Sequence, residues 1–375
     1  MINYLTEMVG MSNVLRAANS LQQEKEERSK PMVRTVSLQY EEEYSAFAEF
    51  MGQFGRSYGT FDDHMGKFDA FKVNYRSVKK HNSKFEKGEV AWKKAINQFS
   101  DMTQEEFEDM YLSTTLKKPT GPIVASESHH DIQGRPHLVG ASHLPDYVNW
   151  FEAGKVSASI DQGGCGSCWA FTTATTLESL NAINNNLKTV PRYSVQYLLD
   201  CDEGNWGCDG GWMADAYEFT KQQGIVDWED YAHTYQGRKT KCSKVDKKAK
   251  RFHNGASHEE DMASNERMRE LVAKNPIGVA IYSNYGCLGG YSSGIIHDKD
   301  CNCSNPDKND VNHAVTLVGY GKSTEKGCDE YWIIKNSWGP YWGENGTFKL
   351  CADRAGRTEE FGTCQINSFV QWPSL

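Results

Sequence analysis

The distribution of cysteine constrains this chain more than any other feature of its sequence. All 11 cysteines lie between Cys165 and Cys364, and the first 164 residues contain none. A set this dense is typical of disulfide-bonded proteins in oxidising compartments, and its onset indicates a change of domain along the chain. Because the total is odd, at least one thiol has no intramolecular partner. The sequence therefore predicts a disulfide-rich C-terminal part with at least one free cysteine.

Length and charge limit the classes of protein to which the chain can belong. Its 375 residues exceed the ~100–200 residues of a typical domain, so we expect two units or one large one. Lys and Arg total 41 against 50 Asp and Glu, and a net charge of −9 offers no basic field for nucleic-acid phosphates. No apolar run approaches the roughly 18–20 residues that span a bilayer. We therefore expect a soluble protein with no nucleic-acid partner and no membrane span.

The N-terminal residues leave the compartment open. Met1–Lys30 lacks the apolar core of a secretory signal peptide, which conflicts with the oxidising compartment that the cysteines indicate. Either the chain is cytosolic with reduced cysteines, or its true start lies upstream, and we favour the second. Gln22–Lys30 is a charged run typical of a solvated segment, so we expect residues 1–39 to form a flexible lead-in.

Aromatic residues at helical spacing predict a small helical domain over residues 40–112. The first helix carries an aromatic stripe from Tyr40 onwards and ends near Gly55. The second runs from about residue 62 to 87, and Gly88 follows where a C-terminal cap would lie. These elements belong to the part of the chain without cysteine.

A strand, a third helix and a linker complete residues 40–142, which we call the front part. We expect a short strand within residues 90–99, and Thr103 and Glu106 have the spacing of a capping box for the next helix. From residue 113 to 142, prolines and glycines interrupt a polar segment without periodicity, which predicts a cleavable linker. The histidines in and beside it lack cysteines or carboxylates at fixed spacing, so we interpret them as exposed loop residues and predict no metal there. They are His129, His130, His137 and His143.

A glycine-rich turn followed by a helix contains the residue most suited to nucleophilic chemistry. Residues 162–171 read QGGCGSCWAF, and the helix carries four threonines whose poor helix propensity requires burial to hold it. Cys168 lies at the N-terminus, where unpaired N–H groups and the helix dipole favour a thiolate. Cys165 and Cys168 could instead form a redox pair, half a zinc site or a plain disulfide, but no βαβ unit precedes them and no second CxxC follows. We therefore favour Cys168 as a nucleophile beside a structural Cys165.

Three separated motifs resemble the papain family of cysteine proteases, and in particular its cathepsin L-like members. They are QGGCGSCWAF from residue 162, VNHAVTLVGYG from residue 311 and YWIIKNSWGPYWGENG from residue 331. The front helices resemble that group's inhibitory propeptide, with D-K-F-N-V-N from Asp63 to Asn82 where the family has E-R-F-N-I-N. A-x-N-x-F-x-D from residue 95 resembles the second propeptide motif, with Ala in the usual Gly position. The resemblance covers about residues 40–375.

The resemblance implies a fold and a set of site residues. The fold class is α+β, with a helical inhibitor prodomain before a papain-like domain over 143–375 that has a helical left lobe and a β-barrel-like right lobe. Cys168 is implied as the nucleophile and Gln162 as a donor to the oxyanion. His313 is implied as the base and acid, with Asn336 orienting it. Substrate-binding residues are implied at Gly210, Gly211, Trp212, Met213, Ala280, Val311, Ala314 and Trp338, with Phe369 beside the same pocket. No cofactor and no metal are implied.

The family's disulfide pattern implies some of the cysteine pairs. It implies the pairs Cys165–Cys208 and Cys201–Cys242, and it joins Cys364 to Cys301 or Cys303, which are too close in sequence for a choice. Four cysteines depart from the common pattern and could form two further bridges, which would leave Cys168 as the odd thiol. They are Cys287, Cys328, Cys351 and the unused one of Cys301 and Cys303.

The resemblance also implies an activity and partners. The chain would be a cysteine endopeptidase made as a zymogen, with an apolar or aromatic preference at P2, the second substrate residue before the cut. Its partners would be protein and peptide substrates and its own propeptide, and we expect a monomer that is lysosomal or secreted. Two alternatives stay open: a catalytically silent binding or inhibitor protein with the same fold, and a cytosolic thiol hydrolase without disulfides.

Overall fold

The computed structural model of the chain describes residues 30–112, 116, 144–301, 303, 311–352 and 361–375, with the backbone alone over residues 30–37. Residues 1–29 of the predicted lead-in lie outside the described residues, as does the predicted linker apart from Leu116, together with its four histidines. The first helix, α1 (Lys30–Phe54), begins at Lys30 and not at Tyr40, so residues 30–39 are helical. The described chain divides into two compact units at the Phe68–Asp69 bond.

An aromatic cluster holds the first unit together. It joins α1 to the start of the second helix, α2 (Phe61–Glu86). The fully buried rings of Phe47 and Phe68 lie 5.3 Å apart, and the Tyr44 hydroxyl is hydrogen-bonded to Nε2 of His64 at 3.1 Å. The aromatic stripe predicted on the first helix is therefore the face that packs.

The C-terminal cap of α2 follows the predicted chemistry. Gly88 has φ +69°, a left-handed conformation that glycine adopts without steric cost. The N–H of Glu89 donates to the carbonyl of Lys84 at 2.9 Å, which satisfies a carbonyl of the last helical turn. The predicted glycine cap is confirmed.

The predicted strand and third helix both form, with different boundaries for the strand. Strand β1 covers only Trp92–Lys94, because the Asn97 side chain accepts from the N–H of Phe99 at 2.9 Å and turns the chain out of the strand. Helix α3 (Gln104–Tyr111) begins after Thr103, whose hydroxyl accepts from the N–H of Glu106 at 3.2 Å while the Glu106 carboxylate accepts from the N–H of Thr103 at 2.9 Å. The capping box is confirmed.

Helices surround the nucleophile candidate in the part we call the helical lobe. Helix α4 (Cys168–Asn184) is buried continuously from Cys168 to Leu180, which confirms the predicted central helix. Two of its four threonines satisfy their buried hydroxyls by donating to carbonyls one turn back, Thr173 to Trp169 at 2.8 Å and Thr176 to Thr172 at 3.1 Å. Helices α5 (Val195–Cys201) and α6 (Met213–Gln223) and a 3₁₀ turn at Gly207–Asp209 complete this lobe.

A nine-stranded sheet forms the second lobe, which we call the sheet lobe. After β1, its strands are β2 (Val148–Asn149), β5 (Ala256–Asp261), β6 (Ile277–Ile281), β7 (Tyr291–Ile296), β8 (His313–Lys322), β9 (Glu330–Lys335), β10 (Thr347–Cys351) and β11 (Phe369–Ser374). Their order is β1-β7-β10-β9-β8-β6-β11-β5, with β2 paired to β8, and among the described strands only β7 and β10 are parallel. This path does not return to β1, so the described strands form an open sheet and not a closed barrel.

Shorter elements fill the remaining chain. A separate pair joins β3 (Ile225–Val226) to β4 (Arg251–Phe252). Helices α7 (Asn265–Val272) and α8 (Asp298–Cys301), a π turn at Tyr285–Gly289 and a 3₁₀ turn at Thr363–Gln365 lie between strands. Within the described residues, no helix combines the length and hydropathy needed to cross a membrane.

Five disulfides use ten of the 11 cysteines. The pairs implied by the family pattern are present, as Cys165–Cys208 and Cys201–Cys242, and Cys364 pairs with Cys303. Two further bridges join Cys287 to Cys301 and Cys328 to Cys351. Cys168 is the free cysteine, so the odd total noted in the sequence corresponds to that residue.

Candidate active site

The loop before α4 places the Cys168 thiol at a helix N-terminus. Gly166 can only be glycine, because a Cβ there would lie 2.5 Å from the carbonyl oxygen of Cys208, to which its own N–H donates at 2.8 Å. This close approach brings the loop against the 3₁₀ turn before α4 begins. The Cys168 side chain is fully buried, and its Sγ accepts from the N–H of Ala314 at 3.4 Å.

His313 and Asn336 meet because neighbouring antiparallel strands end at the same edge of the sheet. β8 begins at His313 and β9 ends one residue before Asn336. Nε2 of His313 lies 2.7 Å from Oδ1 of Asn336, and because an amide oxygen only accepts, the proton is on Nε2. Nδ1 has no hydrogen-bond partner among the described residues, and in the neutral ring it carries the lone pair. The Trp338 ring stacks on His313 with centroids 5.0 Å apart.

The thiol and the imidazole come from facing elements. The Ala314 N–H on the sulfur ties the start of β8 to the start of α4, and His313 is the residue just before Ala314. The structure therefore brings together the three residues that the sequence singled out as nucleophile, base and orienting group.

The Gln162 side chain is held by both of its polar atoms. Its Oε1 accepts from the Ser337 hydroxyl at 2.6 Å, which orients the amide. Its Nε2 donates to the carbonyls of Cys165 at 3.0 Å and Tyr111 at 3.1 Å. Sequence reasoning missed Ser337 and Tyr111, although Ser337 directly follows Asn336 in the third motif. The donor expected to face an oxyanion thus faces a backbone carbonyl of the front part.

Burial favours neutral forms of both reactive groups in this structure. It raises the pKa of the Cys168 thiol to about 11 and lowers the pKa of His313 to about 4. The hydrogen bond from His313 to Asn336 acts in the opposite direction and raises the pKa of His313, but burial has the larger effect. Desolvation penalises each charged form. The thiolate that the helix N-terminus was expected to favour is therefore not the favoured state while the front part covers the site. It remains an expectation for the uncovered site.

This difference predicts two pH profiles for alkylation of Cys168. Because only the thiolate reacts, the rate of the intact chain with iodoacetamide should rise about tenfold per pH unit between about pH 6 and pH 9. After the front part is removed, the rate should depend much less on pH. Near pH 6 it should be at least ~100-fold faster, since a fall of two units in the pKa of Cys168 raises its thiolate fraction by that factor. Mass-spectrometric alkylation rates of both forms test this, and superimposable profiles would contradict it.

The residues expected around the substrate pocket share one buried apolar cluster. The rings of Trp212 and Phe369 meet edge to face with centroids 5.2 Å apart. Leu116, from the segment predicted as linker, is 2% exposed and belongs to the same cluster. Sequence reasoning missed it because one leucine in a polar segment has no periodicity. The other members of that set are Met213, Ala280, Val311 and Ala314.

The adjoining glycines have separate steric reasons. A Cβ on Gly211 would lie 2.5 Å from Oδ1 of Asn205 and 2.6 Å from the Trp169 ring. Gly210 has φ +123°, a conformation that L side chains rarely adopt. Both positions therefore require glycine, and both are buried in this structure.

Aromatic residues of the front part cover Trp338. Phe99 and Phe107 meet its ring edge to face with centroids 5.6 Å and 5.0 Å away, and the Gln98 amide donates to its carbonyl at 2.6 Å. Because Trp338 also stacks on His313, the front part closes over the ring that adjoins the candidate base.

Hydrogen bonds from α2 fix this cover to the sheet lobe. Nδ2 of Asn74 donates to the carbonyls of Ser100 and Met102 and to the hydroxyl of Tyr285, at 2.9–3.0 Å. The Tyr285 hydroxyl donates in turn to the Phe99 carbonyl at 2.9 Å. Asn74 is the first N of the D-K-F-N-V-N motif, so that motif residue acts by joining the cover to Tyr285.

A buried charged network lies beside Asn336. Lys335 donates to the hydroxyls of Thr175 at 2.9 Å and Ser157 at 3.1 Å, and Ser157 donates to the Glu178 carboxylate at 2.5 Å. Glu178 also accepts from the N–H of Tyr193 at 2.8 Å. Burial lowers the pKa of Lys335 to about 8, while the Glu178 charge acts to raise it. The network links α4 to the strand end that carries Asn336.

Loss of Glu178 should destabilise the fold in a pH-dependent way. We expect Glu178→Ala to lower the free energy of unfolding by about 3–5 kcal/mol near pH 6, because it leaves Lys335 as an unpaired buried charge. The pKa of Lys335 falls further in the variant, so the loss should shrink by about pH 9, where Lys335 is neutral in both proteins. Urea unfolding at both pH values checks this, with Glu218→Ala as the control, since that carboxylate makes only a surface ion pair with Lys221 on α6. Equal losses at both pH values would contradict it.

Two groups of side chains have the proximity of metal ligands. His297 lies with Cys328 and Cys351, and Cys301 lies with Cys303 and Cys364, each group within 4.8 Å. All of these cysteines are in disulfides, so their sulfurs are not thiolates. Among the described residues these groups therefore do not supply a metal site.

Known proteins share both parts of this arrangement. Residues 144–374 match the papain family of cysteine proteases, and residues 47–107 match the cathepsin propeptide inhibitor domain. The chain is 33% identical over 332 residues to a cathepsin L-like proteinase of Phaedon cochleariae, covering 88% of this chain and 93% of that protein. It is 35% identical over 330 residues to a cathepsin L-like proteinase of Fasciola hepatica, covering 86% and 90%. The solved structure of digestive procathepsin L 3 of Tenebrio molitor larval midgut superposes with a TM-score of 0.71 at 29% identity, covering 89% of this chain and 99% of that one.

Proposed function

Because the chain belongs to the papain family of cysteine proteases and carries a cathepsin propeptide inhibitor domain, we propose that it is an endopeptidase made as an inactive precursor. The observation that supports this most is the placing of Cys168, which no disulfide uses, next to the residue pair His313–Asn336. A nucleophile, a base and a group that orients the base are the parts that covalent catalysis needs. The proposed organisation is a lead-in (1–39), a prodomain (40–112), a linker (113–142) and a peptidase domain (143–375).

The proposed reaction passes through a thioester. The Cys168 sulfur, its proton transferred to Nδ1 of His313, attacks the substrate carbonyl carbon, and the oxyanion accepts from Nε2 of Gln162 and the N–H of Cys168. The imidazolium then protonates the amine as the C–N bond breaks. Water, deprotonated by His313, hydrolyses the thioester and restores the thiol. Such proton transfer is worth ~10²–10⁴ in rate, and one oxyanion donor ~10²–10³.

Two contacts support inhibition by the front part. Tyr111 places its carbonyl on the Gln162 donor, and Leu116 lies in the apolar cluster with Trp212. A substrate whose P2 side chain lies in that cluster and whose scissile carbonyl lies at the Gln162 amide would run, from N- to C-terminus, from the cluster to Gln162. The front part runs the opposite way, because Tyr111 at Gln162 comes before Leu116 in the cluster. A backbone bound in reverse does not present its carbonyl to Cys168 as a substrate does, which accounts for a bound but uncut propeptide.

Acid pH should favour release of the prodomain. Burial lowers the pKa of His64 and of His81 below the ordinary value of 6.5. A group with a lowered folded-state pKa contributes stability that is present above its unfolded pKa and lost as the pH falls through the folded one. Acidification below about pH 6 therefore destabilises the prodomain at both positions, and cleavage within residues 113–143 would make the release permanent.

The buried cluster around Trp212 favours apolar residues at P2. The cluster is formed by apolar side chains, and burying an unpaired charge among them would be costly. Phe369, against Trp212, would make the pocket shallow. We expect peptides with Leu or Phe at P2 to be cut with a kcat/KM at least ~10-fold above that for Arg. A fluorogenic series that varies P2 alone measures this, and preference for Arg would contradict it.

The cysteines support an oxidising destination. Five disulfides are typical of a lysosome-like or extracellular protein, so we propose that the enzyme is lysosomal or secreted. We propose that it acts as a monomer on protein and peptide substrates without a cofactor.

A further inference from the structure

One tyrosine outside the proposed catalytic residues contacts both ends of the loop that precedes α4. The loop covers residues 162–167, and the two proposed oxyanion donors lie at its ends: the Gln162 amide at one, and the N–H of Cys168 directly after the other. The hydroxyl of Tyr235 donates to the main-chain carbonyl of Gln162 at 2.5 Å. The hydroxyl of Ser167 lies 2.7 Å from the same Tyr235 oxygen. Tyr235 therefore bridges the two residues that bound the loop.

The chemistry of the groups fixes the direction of both hydrogen bonds. A carbonyl oxygen only accepts, so the single proton of the Tyr235 hydroxyl is directed to Gln162, and the Ser167 hydroxyl donates to Tyr235. Burial raises the pKa of Tyr235 above its ordinary value, so this proton is retained at acid and neutral pH. The bridge therefore keeps one form over the pH range in which the proposed enzyme would act.

Ser167 does not use its hydroxyl as a residue in its position ordinarily does. It is the N-cap of α4, where a serine hydroxyl usually accepts from the N–H of the second or third helical residue. That side-chain bond is absent here, and the hydroxyl is directed to Tyr235 instead. A departure from local capping chemistry directly before the proposed nucleophile indicates that the link to Tyr235 has a function of its own.

Tyr235 is itself held firmly against the helical lobe. Its ring meets the ring of Phe171 on α4 edge to face, with centroids 4.9 Å apart. The buried side chain of Gln196 on α5 holds the chain just after Tyr235, since it accepts from the N–H of Gln236 and donates to the carbonyl of Arg238, both at 2.9 Å. The hydroxyl that bridges the loop is therefore carried by a fixed group.

We propose that Tyr235 is a positioning residue for the oxyanion site, an inference that rests on the proposed protease function. By joining Gln162 to Ser167, it sets the separation between the Gln162 amide and the N–H of Cys168, which must both reach one oxygen atom. Such donors act only when they are placed where negative charge develops in the transition state. Because the hydrogen bonds of Tyr235 go to the loop, its effect should be confined to steps that form a tetrahedral oxyanion.

Tyr235→Phe tests this, because it removes only the bridging hydroxyl. The front part of each protein is first removed by an unrelated serine protease, which is then inhibited. We expect kcat for a peptide with Leu at P2 to fall about 10–30-fold, since small misplacements of catalytic groups have effects on this scale. KM should stay within about twofold, because the loss is confined to the transition state.

The matched control is Tyr231→Phe in the same lobe. The Tyr231 hydroxyl donates to the Asp200 carboxylate at 3.0 Å and accepts from the N–H of Ser243 at 3.1 Å, so the variant removes a hydrogen-bonded hydroxyl that does not bridge the loop. Its kcat should stay within about twofold of the unaltered enzyme.

Labelling by a peptidyl epoxide separates positioning from a general loss of structure. The Cys168 thiolate opens the epoxide without forming a tetrahedral oxyanion, so the labelling rate of Tyr235→Phe should stay within about twofold. The labelled fraction also counts the folded sites to which kcat is referred. Ser167→Ala cuts the bridge at its other end and should give the same loss of kcat without loss of labelling, which keeps the test decisive if Tyr235→Phe does not fold.

A double-variant comparison shows whether Tyr235 acts through the Gln162 donor. In Gln162→Ala that donor is already absent, so adding Tyr235→Phe should lower kcat by less than about threefold. The inference alone is overturned if the unaltered enzyme is active and Tyr235→Phe keeps its kcat, loses labelling equally or loses as much in the Gln162→Ala background, or if Tyr231→Phe loses as much. An unaltered enzyme that cuts no peptide once the front part is removed would overturn the proposed function, and this inference with it.

Discussion

Replacement of Cys168 by Ala should lower kcat/KM for peptide hydrolysis by about 10⁵–10⁶-fold, the scale seen when a catalytic nucleophile is removed. Cys168 is the free cysteine, at the start of α4 and tied to the residue after His313. Loss of its sulfur removes the attacking atom and leaves only binding and the oxyanion donor. The rate is measured after an unrelated serine protease, then inhibited, has removed the front part of both proteins.

The matched control for this prediction is Cys168→Ser, which keeps a nucleophilic atom of nearly the same size. We expect it to be almost as inactive as Cys168→Ala, because a hydroxyl does not ionise at neutral pH. Both variants should keep their thermal unfolding midpoint within a few degrees. Residual activity within ~100-fold of the unaltered enzyme in Cys168→Ala would show that another residue supplies the nucleophile.

Replacement of Phe107 by Ala should release inhibition in the intact chain. The Phe107 ring is fully buried and lies 5.0 Å from Trp338 and 4.7 Å from Tyr285. Truncation of a buried Phe costs about 3–5 kcal/mol, and here this cost falls on the state in which the site is covered. We expect the initial rate of peptide hydrolysis by the unprocessed chain at neutral pH to rise by about 10²–10⁴-fold.

The control for Phe107 is Val73→Ala on α2, which removes apolar atoms from a side chain that is 65% exposed. It should leave the intact chain inactive. Gels run alongside the assay confirm that the chain is still uncleaved during the initial rate. The account of the cover is wrong if Phe107→Ala shows no rise, or if Val73→Ala rises equally.

Much of the candidate site could be predicted because its residues fall in contiguous motifs. Gln162 and Cys168 lie in the first motif. His313 lies in the second motif, at the start of β8, and Asn336 lies in the third, directly after β9. The capping box at Thr103 was predictable because capping is local. These features depend on residues close in sequence, so a single chain reveals them without knowledge of the fold.

Features that depend on distant partners could not be predicted in this way. The Tyr111 carbonyl on Gln162 is backbone chemistry, and any residue type could supply it. Leu116 has no pattern of its own and becomes significant only inside the Trp212 cluster. The sequence could not decide between Cys301 and Cys303 as the partner of Cys364, since two residues of separation carry too little geometric information.

Local charge and protonation are further properties that the sequence alone could not predict. The net charge of −9 is a total over 375 residues, and it hides eight exposed Lys and Arg within residues 238–251, a segment that the Cys201–Cys242 disulfide fixes to α5. Burial raises the pKa of Cys168 and lowers the pKa of His313, so both groups favour their neutral forms. The sequence does not show that these two side chains are buried. Motifs identify which residues react, whereas the covered or uncovered state of the site decides how they are protonated.

The most direct test of the central claim is to locate the label from a peptidyl epoxide with Leu at P2, added to the full chain at about pH 5 and at about pH 7.5. At acid pH we predict a chain shortened to a new N-terminus within residues 113–143, with one label per molecule, on Cys168. At neutral pH the chain should stay intact and unlabelled. A folded chain that is shortened but never labelled, or that carries its label on another residue, would contradict the account.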